Sequence, residues 1–272
     1  MSWRTIARKD VADAARSRAA WVLTALLALL FVGYAFAHGF VGDPTFVAFL
    51  DRQAQAVVTL VPIIALLLGY KSVAADRDSG ALFLTLALPH SRRDVIAGTF
   101  VGRTVVLLVP TLAILTVASV VAAVRYGIDG ALLFPWFLLA TALYGAAFVG
   151  VAVALSAADF TDRRLTMAAV GAYLFLISFY GSFHSLILVL LHRGEVQVLT
   201  DLPDWALLFR LLQPGEAYYR LLRLGFEIEG ASRYLAADAP LYVGWWMGAV
   251  ILAVWALGPL ALGYRRFRTG DL

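Results

Sequence analysis

Residues 75–95 read ADRDSGALFLTLALPHSRRDV. A short apolar run, Gly80 to Leu88, stands between Asp76-Arg77-Asp78 and His90-Ser91-Arg92-Arg93-Asp94. As a helix this run covers about 14 Å, under half of a ~30 Å hydrocarbon core. As a solvated loop it would leave several leucines and a phenylalanine in water. The pattern therefore predicts a short amphipathic helix, with Ser79 as N-cap, Asp76 and Asp78 near the positive end of the dipole, and Pro89 as the stop. Such a helix either lies on a membrane surface or offers its apolar face to a partner protein, and composition does not choose between them.

The rest of the chain is greasier still. It is 62% hydrophobic and 15% charged, with a mean hydropathy of +0.83, where a soluble domain carries about a quarter charged residues. This excludes a water-soluble globule. The absence of cysteine removes disulfides, thiolate metal sites and thiol nucleophiles together. The net charge of +4 is carried by basic residues that flank apolar segments, whereas a nucleic-acid partner would need them clustered on one polar face.

Six segments contain no Asp, Glu, Lys or Arg and suffice to cross a bilayer as helices: 19–37, 54–70, 104–124, 131–158, 165–191 and 241–264. The first is read as a retained span rather than a signal peptide, because five equally apolar spans follow it. The expected fold is an all-α polytopic membrane protein, one transmembrane domain over 1–272. With both termini inside, the inner segments hold 15 of the 22 Lys and Arg residues, which is the bias that fixes orientation. That puts residues 71–103 on the inner side of the cell membrane.

Between the spans, residues 1–18 place Trp3, Ile6, Ala7, Val11 and Ala14 at helical spacing, the pattern of an interfacial helix. In the outer stretch 192–240, Trp205, Leu208, Phe209 and Leu212 share one face, Pro214 breaks the run, and Tyr218, Leu221, Leu222 and Leu224 resume it. Two half-helices on or in the outer leaflet fit, and broken helices recur at transport pathways; Trp205, Pro214, Glu216 and Tyr218 are the candidate gate. Ala142, Ala146, Gly150 and Ala154 repeat at four-residue intervals, a stripe for close helix contact.

Catalytic signatures are scarce. The four histidines, at 38, 90, 184 and 192, fall in no H-E-x-x-H frame, and no serine lies in G-x-S-x-G. His184 and His192 read as interfacial rather than as metal ligands. Spans without ionisable residues argue against an ion-coupled carrier. No phosphate-binding G-x-x-x-x-G-K-[ST] loop is present, so a nucleotide-driven process would need its ATPase on another polypeptide.

Residues 76–98, DRDSGALFLTLALPHSRRDVIAG, resemble the first cytoplasmic loop of the type-2 family of ABC transporter permeases. That loop has an acidic residue, a glycine, a leucine-rich helix, a proline, a Ser-Arg pair and a Gly-Lys pair. Asp76, Gly80, the 82–88 run, Pro89, Ser91-Arg92 and Gly98 stand at those positions. Asp76 replaces the usual glutamate, and Thr99 replaces the usual lysine, for which Arg103 is a partial substitute. The N-terminal helix resembles the family's elbow helix, residues 155–168 its second inner loop with Asp162, Arg163 and Arg164, and 192–240 its external half-helices. The stretch 211–222, LLQPGEAYYRLL, is similar to the permease subgroup of nitrous-oxide-reductase maturation.

The resemblance implies the transmembrane subunit of an ATP-driven ABC transporter, an exporter. It would pair with a second permease copy, as homo- or heterodimer, and with separate ATPase subunits that hold the ATP and magnesium. Coupling would fall to Asp76, Arg77, Asp78, Gly80, Leu84, Pro89, Ser91 and Arg92, docked by the helix-in-groove mode. Membrane lipid is the remaining partner, and uncharged spans suit an apolar or amphipathic cargo. The alternative is a membrane enzyme acting on lipid or peptide without nucleotide, built on Ser156, Ser178, Tyr180, Ser182 and His184. A stand-alone channel would lack a charged lining.

Overall fold

The computed structural model describes residues 3–40, 45–87, 91–200, 202–225 and 240–269. Among the described residues there is no strand. Twelve α-helices order them: α1 (Trp3–Arg16), α2 (Arg18–Ala37), α3 (Phe46–Gly69), α4 (Ala74–Asp78), α5 (Ala81–Ala87), α6 (Arg92–Tyr126), α7 (Phe134–Ala157), α8 (Asp162–Tyr173), α9 (Tyr180–Leu191), α10 (Asp204–Leu211), α11 (Pro214–Leu222) and α12 (Trp245–Thr269). Six helical units are long and apolar enough to cross a membrane: Arg18–Phe40, Phe46–Asp78, Arg92–Tyr126, Ala131–Ala157, Asp162–Leu191 and Trp245–Thr269. The chain is an all-α, six-span membrane protein.

The central helix is α7, which packs against α3, α6, α11 and α12. Its small residues explain the position. Gly150 lies against the Ala256 backbone of α12, and Gly263 of α12 lies against Ala154, so the predicted stripe is a helix–helix seam at those two positions. Around α7, Phe49, Val57, Leu107, Leu115, Tyr144, Phe148 and Leu252 form one continuous core. Leu26, Leu29, Val109, Val120, Leu186 and Leu257 point outward on the spans, the apolar exterior that a bilayer solvates.

Helix bounds exceed the uncharged windows. The second span begins at Phe46 and carries Asp51 and Arg52, and the third begins at Arg92. Charges near helix ends reach the interface, so span ends need not coincide with the first charge. The fifth span contains a π-helical stretch, Leu174–Phe179, which no residue pattern announced. Among the described residues it touches the bundle least, meeting α3, α7, α10 and α11 only locally.

Candidate functional site

The segment after the second span differs from its expected form in one respect. Instead of one helix capped by Ser79, there are two: α4, containing Asp76, Arg77 and Asp78, and α5. Ser79 terminates α4, its amide reaching the Ala75 carbonyl and its hydroxyl donating to the Asp76 carbonyl at 3.3 Å. Gly80 then takes φ +77°, a left-handed conformation that favours glycine and ends the first helix. The acidic residues thus belong to the preceding helix rather than to the start of the apolar one. Pro89 lies outside the described residues.

This segment is fixed to the bundle. The Ser156 hydroxyl, at the end of α7, accepts from the backbone amides of Val73 and Ala74 at 2.8 and 3.1 Å, capping α4 from a different helix. Arg77 donates to the Ala158 carbonyl at 3.1 Å and pairs with Asp159 at 3.4 Å. Lys71 pairs with Asp162 at 2.5 Å, joining this segment to the start of the fifth span. Leu82 is buried in the core, whereas Phe83, Leu84 and Ala87 are exposed; Leu84 is 74% accessible. Arg163 and Arg164 are exposed beside the segment. Replacing Ser156 by Ala should leave two buried amides unpaired, a loss of about 1–3 kcal/mol locally. Tryptic cleavage at Arg77 should then quicken while the bundle stays folded.

Ser91 and Arg92 hold the start of α6. Ser91 forms a capping box: its hydroxyl accepts from the Asp94 amide, and the Asp94 carboxylate accepts from the Ser91 amide, each at 3.1 Å. Asp94 also accepts from the Trp3 amide at 3.2 Å. Arg92 donates to the carbonyls of Phe267 and Arg268 at the end of α12 and lies over the Phe267 ring. Both residues therefore have structural work inside the chain.

The N-terminal helix α1 packs along α6. Gly98 permits this, since a Cβ there would stand 2.7 Å from Ile6 and from the Trp3 carbonyl. The contact buries Asp10, paired with Arg103 at 2.9 Å. Burial pushes the Asp10 carboxyl up to about 6; Arg103 opposes the shift, and Asp76 and Asp13 add to it. Asp10 Oδ2 and Arg103 Nε are buried without a hydrogen-bond partner. Asp10 was not singled out by the sequence, although its position three residues after Ala7, on the packed face, was the available signal.

At the opposite end of the spans, α10 and α11 are found on either side of Gln213. α11 is inserted between α7 and α12, with Pro214, Glu216 and Tyr218 buried. The face of α10 turned inward is Ala206, Leu207 and Leu211, leaving Trp205 exposed, because the fifth span packs on that side. Trp205 is thus exposed, where the other three gate candidates are buried. Tyr218 shares a hydrogen bond with Thr141 at 3.0 Å, and Glu216 accepts from Arg210 at 3.0 Å.

Three side chains tie the half-helices to the fifth span. Tyr180 donates to the Phe209 carbonyl at 2.6 Å, His184 Nε2 meets the Ala206 carbonyl at 2.9 Å, and Gln213 donates to the Leu176 carbonyl at 2.7 Å. Leu176 lies in the π-helical stretch, where backbone carbonyls fall out of the regular ladder. His184 is fully buried. The residues of the enzyme alternative do not converge: Ser156 caps α4, Tyr180 and His184 hold α10, and Ser178 and Ser182 are exposed.

The whole chain, and the site with it, has relatives. The profile of the ABC-2 family transporter protein matches residues 4–272, and the chain belongs to that family. It is 32% identical over 276 residues to a Pseudomonas aeruginosa protein named "Probable ABC transporter permease protein NosY", with 97% of each chain covered. It is 31% identical over 277 residues to the protein of the same name from Stutzerimonas stutzeri, covering 93% of this chain and 96% of that one. The chain is accordingly a multi-pass membrane subunit of an ABC transporter, and its relatives are named as permeases rather than enzymes.

Proposed function

We propose that this permease couples ATP hydrolysis on a separate ATPase subunit to export across the plasma membrane, with α5 as the coupling helix and both termini cytoplasmic. The observation that carries the reading is the division of labour on α5. Leu82 anchors it in the core while Phe83, Leu84 and Ala87 face outward, on a segment held by Ser156, Arg77 and Lys71. An apolar face on a braced helix beyond the spans suits a hydrophobic groove on a partner. Bracing matters because force applied at α5 reaches α7 through Ser156 and the fifth span through Asp162. The basic residues at this end of the bundle support its cytoplasmic placement. A second permease copy completes the transporter, ATP and magnesium belong to the ATPase, and α1 is the elbow helix.

Asp76, Asp78 and Leu84 are the residues assigned to the partner. Arg77, Ser91 and Arg92 act by holding the segment in place, and Gly80 by turning it. The test is affinity purification of the tagged chain from its native membrane in mild detergent. Wild type should bring a P-loop ATPase at near one per permease. Leu84→Asp should lower that recovery at least tenfold with membrane insertion unchanged. Equal recovery by wild type and Leu84→Asp would overturn the assignment.

A further inference from the structure

A groove of about 400 Å³ runs between α7 and α12 at the end of the bundle where both helices terminate. Val151 and Leu155 form one wall, Trp255 and Leu262 the other, and Arg265 and Arg266 stand at its mouth. From Trp255 to Arg265 the groove follows α12 for about 15 Å, half of the hydrocarbon thickness. Its apolar part therefore lies at acyl-chain depth, and its two guanidinium groups at headgroup level.

The arginines are exposed, and among the described residues neither takes part in an ion pair. The acidic side chains adjoining the α7 wall in sequence, Asp159 and Asp162, are engaged by Arg77 and Lys71. The Ala158 carbonyl, at the same rim, accepts from Arg77. Two arginines with no ion-pair partner among the described residues, above an apolar slot open to the bilayer, complement a ligand with one anionic head and a long apolar tail. Basic pockets between transmembrane helices select such headgroups.

We propose that this groove is a binding site for one anionic phospholipid in the leaflet where α7 and α12 end. The acyl chain lies along Leu155 and Trp255, and the phosphate is held by Arg265 and Arg266. The site is independent of the ATPase assignment, since it uses neither α4 nor α5.

The test uses the full chain, purified and delipidated, with native mass spectrometry of added phosphatidylglycerol or phosphatidylcholine of identical acyl chains. One phosphatidylglycerol should be retained about tenfold or more over phosphatidylcholine, as expected of two arginines at a membrane surface. The Arg265→Gln/Arg266→Gln double variant should abolish that preference. Arg163→Gln/Arg164→Gln, the same change of charge elsewhere at this end, should leave it intact. Leu262→Trp, which fills the slot and keeps the arginines, should reduce retention of both lipids. Equal retention of the two lipids by wild type, equal losses from the two double variants, or a groove covered instead by a second copy, seen as a dimer whose stability Leu262→Trp lowers without changing lipid retention, would overturn the proposal.

Discussion

Gly150→Ala should leave little stably folded protein, whereas Gly171→Ala should fold at least as well as wild type. The two substitutions are chemically identical, and their surroundings set the sign. At Gly150 the new methyl group would overlap the Ala256 carbonyl, backbone that cannot swing aside, so α7 and α12 must separate along their seam. Overpacking a core costs about 1–3 kcal/mol when side chains can yield, and more when they cannot. At Gly171, on α8, a Cβ meets nothing within 4 Å, and the change gains up to about 1 kcal/mol of helix propensity. Thermal unfolding in detergent, followed by size-exclusion chromatography, separates the two. Equal midpoints would mean that the seam between α7 and α12 is looser than described.

The second large effect is acid strengthening of the contact between α1 and α6. Asp10 has its carboxyl pushed up to about 6 by burial, against 3.8 when free, so the packed state favours the protonated form. The corresponding stabilisation is complete below pH 3.8 and is lost as pH rises through 6. The shift corresponds to a difference on the order of 3 kcal/mol across that window. Amide exchange in residues 5–12, corrected for intrinsic rates, should show rising protection from pH 7 to 4.5. Asp10→Asn should flatten the profile. Protection that falls on acidification, or an unchanged profile in the variant, would show that the Arg103 pairing outweighs desolvation.

The legible parts of this molecule were those set by composition over long windows. Six spans follow from apolar length alone, and a short helix after the second span follows from an apolar run too short to cross, but which of its leucines turns inward, Leu82 rather than Leu84, came only from the packing. What stayed hidden depends on contacts between distant segments. Ser79 looked like an N-cap because serine precedes an apolar run, but the cap of α4 comes from Ser156, some 80 positions away, and glycine at 80 divides the segment. Similarly, the amphipathic pattern of α10 has two apolar faces, and only the packing of the fifth span decides that Ala206 and Leu211 go inward while Trp205 stays out. The π-helical stretch has no local signature at all. It becomes intelligible once Gln213 is seen to hold the Leu176 carbonyl.

The most direct test of α5 as the docking element is a photo-reactive amino acid at position 84, activated in native membranes, with position 205 as the control at the other end of the bundle. The account predicts that position 84 captures a P-loop ATPase and position 205 does not. Capture only of lipid from position 84, or of the ATPase from position 205 alone, would contradict it.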